Sequence, residues 1–168
     1  MRKKNSLFLD FLPMTLTSFL FISQIVIGIY LLPEINQNDI LAYTGIGLYI
    51  SSGWIFGMLP IYEFRKRGSV KKGKSYIHTT KLVDTGIFSI IRHPQFTTWM
   101  IWAIAGMFIF QHWIIILIGI PIIPLTYIDI LNAEKRLIKK FGNEYKKYMK
   151  IVPRSNFLLG LFRLLKRI

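Results

Sequence analysis

Four apolar stretches, Phe11–Leu32, Ile40–Tyr62, Gln95–Gln111 and Trp113–Leu131, constrain this chain more than any other feature. A helix rises about 1.5 Å per residue, so roughly 20 residues cross a hydrocarbon core about 30 Å thick. The chain therefore reads as an all-α integral membrane bundle of about four transmembrane helices, with interfacial helices on the cytosolic side. The third stretch is the shortest and is expected to begin within the headgroups. The first is not read as a cleavable signal, because no small-residue cleavage site follows it and a second span comes directly. One domain, 1–168, is expected, with scaffold spans at 11–62 and a site-bearing half at 81–154.

Charge then orients the bundle. With 52% hydrophobic residues the chain still carries a net charge of +14, so its charge must be segregated from its apolar segments. Of the 22 Lys and Arg residues, 3 lie in Met1–Asn5, 8 in Glu63–Pro94 and 11 after Leu131. The connections Pro33–Asp39 and Gln111-His112 hold none. With four spans, the positive-inside rule predicts a multi-pass protein with both termini and the long loop in the cytoplasm. Attraction to anionic headgroups, about 1 kcal/mol per cation near the surface, accounts for the basic excess, and no nucleic acid is needed. The absence of cysteine excludes thiolate zinc sites, disulfides and cysteine nucleophiles. His112 falls at the opposite membrane face from His78 and His93, so no metal is expected.

Along the chain, Gly45-Ile46-Gly47 lies inside a span, not after a strand, so helix packing explains it better than nucleotide binding. Gly53 and Gly57 form a small-xxx-small pair that lets helices approach closely. The tryptophans suit interfaces and span packing. In the 32-residue loop Glu63–Pro94, RKRGSVKKGK reads as solvated, and KLVDTGIFSIIRHP is apolar enough to lie on the membrane surface. Thr85-Gly86 breaks that segment, Ile87–Ile91 forms a short turn, and Pro94 suits the first turn of the next helix. His93 then sits at a helix N-terminus, where unpaired N–H groups favour an anion.

Pro121 and Pro124 predict a kink in the fourth span. The helix is expected to continue beyond it with one apolar stripe, Ile130, Leu137, Ile138, Phe141, Tyr145 and Tyr148. Glu134 lies on that stripe, where a carboxylate is costly unless paired. Either it bridges to a nearby Arg or Lys, or it faces a ligand. A hairpin formed by the last two spans would bring Arg92-His93-Pro94 and Glu134 to one membrane face. Phe157–Ile168 has apolar and basic residues at helical spacing and reads as an interfacial tail.

These residues resemble the isoprenylcysteine carboxyl methyltransferase-like family, which also takes in phospholipid methyltransferases. The resemblance rests on Leu82-Val83-Asp84-Thr85-Gly86, Arg92-His93-Pro94-Gln95-Phe96, Glu134, Leu137, Phe141-Gly142, Tyr145, Tyr148 and Val152-Pro153-Arg154, nearly half the chain. It implies S-adenosyl-L-methionine in a cytosol-facing pocket without a Rossmann domain or metal, set against Leu82, Val83, Phe88, His93, Pro94, Gln95, Phe96 and Glu134. The helix opening at Pro94 can receive the methionyl carboxylate with Arg92 as ion partner. Glu134 can accept from a ribose hydroxyl or the methionyl ammonium, and Leu82, Val83, Phe88 and Phe96 can sandwich the adenine.

Three positions depart from the family pattern: Phe96 stands for tyrosine, Thr98 for glycine, and Ala133 for one of two glutamates. No catalytic dyad is visible; His93 is either a general base or a cofactor-positioning residue. The acceptor should be lipid-like, since a pocket at the span mouths admits hydrocarbon tails laterally. Where prenylcysteine-methylating relatives carry an arginine for the substrate carboxylate, this chain has Asp129, which favours an amine or other cation. Two other readings stay open. Sterol-type membrane reductases, which use NADPH, also carry an R-H-P-like block, and a non-catalytic membrane scaffold would account for Ala133 and Asp129. Oligomeric state is not legible.

Overall fold

The computed structural model describes residues 2–32, 37–69 and 79–166. Residues 33–36 of the acidic connection, 70–78 of the basic loop (His78 among them) and the last two residues of the tail lie outside the described residues. The described residues are helical, with no strand among them. In order they form α1 (Arg2–Leu31), α2 (Asp39–Ser52), a π-helical segment (Gly53–Met58), α3 (Leu59–Arg67), a 3-10 turn (Gly86–Ser89), α4 (Pro94–Phe110), α5 (Trp113–Ile151) and α6 (Phe157–Leu165).

Three helical segments are long and apolar enough to cross a membrane: Phe11–Leu31, Asp39–Arg67 and Trp113–Ile151. The 17-residue α4 is shorter, about 25 Å at helical rise, in keeping with the brevity of the third apolar stretch. The chain is thus an integral membrane helical protein, with three spans set by length and composition and α4 as a shorter apolar helix. Pro60 accounts for the change of register at Gly53–Met58: it has no N–H, and its ring would meet the carbonyl four residues earlier.

The chain divides into two compact units, 1–52 with 98–133 and 53–97 with 134–168. In the first, Phe21, Ala103 and Ile122 form a buried centre, with Tyr49, Trp99 and Trp102 packed around it. Tyr49 stacks on Trp102 at 4.4 Å, and the Trp102 indole N–H donates to the Tyr49 carbonyl at 2.9 Å. Gln24, an amide buried in an apolar span, donates to the Ala103 carbonyl at 3.0 Å, which offsets the cost of burying it. Gly45 serves packing, because a Cβ there would lie 2.8 Å from the Ala105 carbonyl oxygen. The two connections that lack Lys and Arg meet at one end of this unit. Gln37 donates to the Ile109 carbonyl (2.7 Å), and Asn38 and Gln111 exchange two hydrogen bonds of 2.9 Å.

In the second unit the expected loop is shorter, since α3 runs on to Arg67. The segment after it is also more deeply packed than a surface-lying strip: Val83, Ile87, Phe88 and Ile91 are buried. Thr80 and Lys81 fold back onto Gly68 through N–H···O bonds of 3.0 and 3.5 Å, and Lys140 donates to the Thr79 carbonyl. The largest departure from the sequence reading is at Gly142, where φ 57° and ψ −128° interrupt α5. The backbone stays helical through Pro121 and Pro124 instead. Tyr145, Tyr148 and Val152, after the break, pack against Leu137, Ile138 and Phe141 before it. The stripe from Leu137 to Tyr148 is therefore two faces closed on each other, and only glycine takes that backbone conformation without strain.

Candidate functional site: a carboxylate held by two arginines and a histidine

The Gly142 break decides the site. A straight helix would separate residues 134 and 154 by about 30 Å. Here the Arg154 side chain forks onto Glu134, Nε to Oε1 at 3.0 Å and Nη2 to Oε2 at 2.9 Å. Arg92 and His93 come from just before α4. Arg92 Nη1 lies 2.9 Å, and His93 Nε2 3.3 Å, from Glu134 Oε1. The backbones are locked as well: the Arg92 N–H donates to the Pro153 carbonyl (3.0 Å) and the His93 N–H to the Arg154 carbonyl (3.1 Å). Thr97 returns both its N–H (3.1 Å) and its hydroxyl (3.0 Å) to the His93 carbonyl, fixing His93 at the entrance to α4.

The side chains of Glu134, His93 and Arg92 are about 95% buried, whereas Arg154 is 29% exposed and closes the cluster from outside. Two guanidiniums at ion-pair distance and the His93 ring compensate the buried Glu134 carboxylate. Burial lowers the His93 pKa, more than its Glu134 partner raises it, so His93 is neutral at pH 7. With two guanidiniums against one carboxylate, the cluster carries one surplus positive charge. The contact of Arg92 with Glu134 is one of charge, off the hydrogen-bond line, and its buried Nε meets no acceptor among the described residues.

Aromatic residues wall the cluster. The Tyr145 hydroxyl lies 3.4 Å from His93 Nε2. The Tyr148 hydroxyl donates to the Phe88 carbonyl at 2.6 Å. Phe88 packs on Phe64 at 4.6 Å, and Phe96 meets the His93 ring edge-on at 5.9 Å. Leu82 packs on the Tyr145–Tyr148–Val152 cluster and lines a cleft of about 260 Å³ with Tyr148, Ile151 and Val152. Asp84, Glu144 and Lys147 supply its polar lining.

Of the residues singled out from sequence, Leu82, Val83, Phe88, Arg92, His93, Pro94, Gln95, Phe96 and Glu134 all fall in this second unit. Asp129 falls in the first, buried, with the Thr17 hydroxyl donating to its Oδ2 at 3.5 Å. Of the two alternatives for Glu134, the ion pair is realised, and with two arginines. Arg154 and the Tyr145 hydroxyl carry no role in the sequence reading. The Val-Pro-Arg run marks a turn, but only the reversal at Gly142 pairs its arginine with a carboxylate twenty residues earlier.

The family model "Isoprenylcysteine carboxyl methyltransferase (ICMT) family" matches residues 70–140, which contain Arg92, His93 and Glu134. Protein-S-isoprenylcysteine O-methyltransferase of Schizosaccharomyces pombe is 26% identical over 121 residues, 71% of this chain and 49% of that protein. Protein-S-isoprenylcysteine O-methyltransferase B of Arabidopsis thaliana is 25% identical over 114 residues, 60% of this chain and 58% of that protein. The chain is therefore similar to the isoprenylcysteine carboxyl methyltransferase family through the segment that builds most of the cluster. It spans about half the length of the curated relatives it matches. No solved structure matches it significantly.

Proposed function

We propose that this chain is a membrane methyltransferase that uses S-adenosyl-L-methionine on a lipid-like acceptor at the cytosolic membrane face. One observation carries the reading: a buried cluster with one surplus positive charge stands at the start of the 17-residue α4. A helix N-terminus and an arginine Nε without an acceptor together favour an anionic group. The methionyl carboxylate fits that demand, with Arg92 and the opening of α4 holding it. Leu82, Tyr148 and Val152 offer apolar walls for the nucleoside, and Asp84 and Glu144 offer acceptors for its ribose hydroxyls.

Both Glu134 oxygens are already engaged, so in this reading the carboxylate organises the two arginines around the ligand's anionic group. His93 is a positioning residue in this reading, because its Nε2 is committed to Glu134 and faces Tyr145. When bound, the cofactor supplies an electrophilic methyl on a sulfonium whose leaving group departs neutral. The protein's work is then alignment, with effective molarities of about 10⁵ M or more in well-ordered cases. The names of the two relatives point to a prenylcysteine carboxylate as acceptor. Asp129 favours an amine instead, and that is the acceptor proposed.

Titration of the purified protein with S-adenosylhomocysteine and with NADPH tests the cofactor. Binding of the first is expected, weakened in His93→Ala by about 1–3 kcal/mol, the worth of a charged hydrogen bond. Binding of NADPH alone would make the protein a reductase, and binding of neither would leave a scaffold. With α4 crossing as a fourth span, both termini are proposed to face the cytoplasm, supported by the meeting of the two Lys- and Arg-free connections in one unit. Terminal tags in sealed, oriented vesicles should be reached only from that side; a tag reached from the other side overturns the orientation.

A further inference from the structure

Helix α6 has two unlike faces. On the inner face the Phe157 ring meets Phe56 edge-on at 5.3 Å. Gly160 sits so close to Ile90 that a Cβ there would lie 1.9 Å from the Ile90 carbonyl oxygen. The helix start is fixed by Asn156, whose Oδ1 accepts from the Leu159 N–H at 2.9 Å. On the outer face Leu158, Phe162 and Leu165 cluster at the helical turn and are 77%, 54% and 63% exposed. The Lys166 ammonium lies 4.5 Å from the centre of the Phe162 ring, and Arg163 stands on the flank. No acid occurs from Ser155 to the end of the sequence.

An apolar face flanked by Arg163 and Lys166, on a segment without acids, matches the acyl and headgroup layers of an anionic bilayer. The position of the helix agrees: Phe56, its inner contact, belongs to the membrane-length segment Asp39–Arg67. Just upstream of α6, Pro153 and Arg154 hold the Arg92 and His93 backbones, and the Arg154 guanidinium grips Glu134. We propose that the outer face of α6 docks in the lipid–water interface of an anionic bilayer, and that this seating holds Arg154 on Glu134. Arg154 is thereby a positioning residue whose grip depends on the lipid surface. The docking stands without any cofactor; its consequence for the site rests on the cofactor reading above.

The chain has no cysteine, so Leu158→Cys gives one attachment point for a nitroxide. In full-length protein in phosphatidylcholine–phosphatidylglycerol vesicles, that label should be open to oxygen and shielded from a soluble nickel chelate. Leu158→Glu with Phe162→Glu should expose a label at Leu165→Cys to the chelate. It should also weaken S-adenosylhomocysteine binding by about tenfold, the loss of one charge-assisted hydrogen bond, while Leu158→Ile with Phe162→Leu restores it. Arg154→Gln should weaken binding to the same degree and remove the effect of the double glutamate change. A label at position 158 open to the chelate overturns the docking, as does nitroxide–nitroxide coupling showing that a second copy covers the face. Unchanged affinity in a double variant whose helix has left the membrane overturns the coupling to Arg154. If the wild-type protein binds no S-adenosylhomocysteine, the cofactor reading fails while the label depth still decides the docking.

Discussion

Glu134→Ala is expected to cost about 3–5 kcal/mol of stability, the range seen when one partner of a buried ion pair is removed. It leaves Arg92 buried without its carboxylate and takes from Arg154 its two bonds to Glu134. Denaturant unfolding in mild detergent measures the loss, and a change under 1 kcal/mol would show that the cluster does not organise this unit. S-adenosylhomocysteine binding by the remaining folded protein is expected to vanish with it. Glu134→Gln keeps the shape and removes the charge, so retained folding with weakened binding would separate the two effects.

Acid provides an independent check. Burial depresses the His93 pKa, so the stability contributed by its neutral form is present above 6.5 and fades as pH drops below that value. The wild-type protein should lose stability more steeply than His93→Gln as pH falls below 6.5. Parallel curves would mean the imidazole is not buried in its neutral form.

The second large effect concerns the acceptor. A membrane aminolipid should be methylated and a farnesylcysteine carboxylate rejected by about a thousandfold. A substrate carboxylate coming within about 4 Å of an ionised Asp129 would be repelled by roughly 4 kcal/mol at an effective dielectric of 20. The residue proposed to discriminate is Asp129, buried beside Thr17 in the first unit. Asp129→Asn should lower methylation of the aminolipid and leave S-adenosylhomocysteine affinity unchanged. Efficient methylation of the farnesylcysteine analogue, with none of the aminolipid, would overturn this reading and return the acceptor to the carboxylate named in the relatives.

The apolar periods and the one-sided lysines and arginines made the helical membrane class, the end of α1, both ends of α4 and the start of α5 readable, whereas α1 begins at Arg2, well before the apolar stretch that opens at Phe11. Pro94 opens α4 as its fixed φ and missing N–H dictate. Arg92, His93 and Glu134 were recognisable because a carboxylate on an apolar stripe and a histidine before a helix-starting proline each need a reason. The π-helical register at Gly53–Met58 was less legible. Pro60 signals a disturbance, but not whether the helix answers with a kink or with an extra residue per turn.

Residue types and their spacing along the chain determined by themselves that this protein is helical, enters a membrane and carries charged groups beside α4 and α5. Those properties follow from local hydrophobicity and backbone geometry, which each segment has on its own. Which charges meet was decided only by the tertiary structure. Gly142 is legible as a residue that permits a break, yet the break matters because it turns Tyr145 and Tyr148 back onto Leu137, Ile138 and Phe141. That packing brings Arg154 to a carboxylate twenty residues away. A pairing of this kind depends on contacts between distant segments, and periodicity carries no record of them.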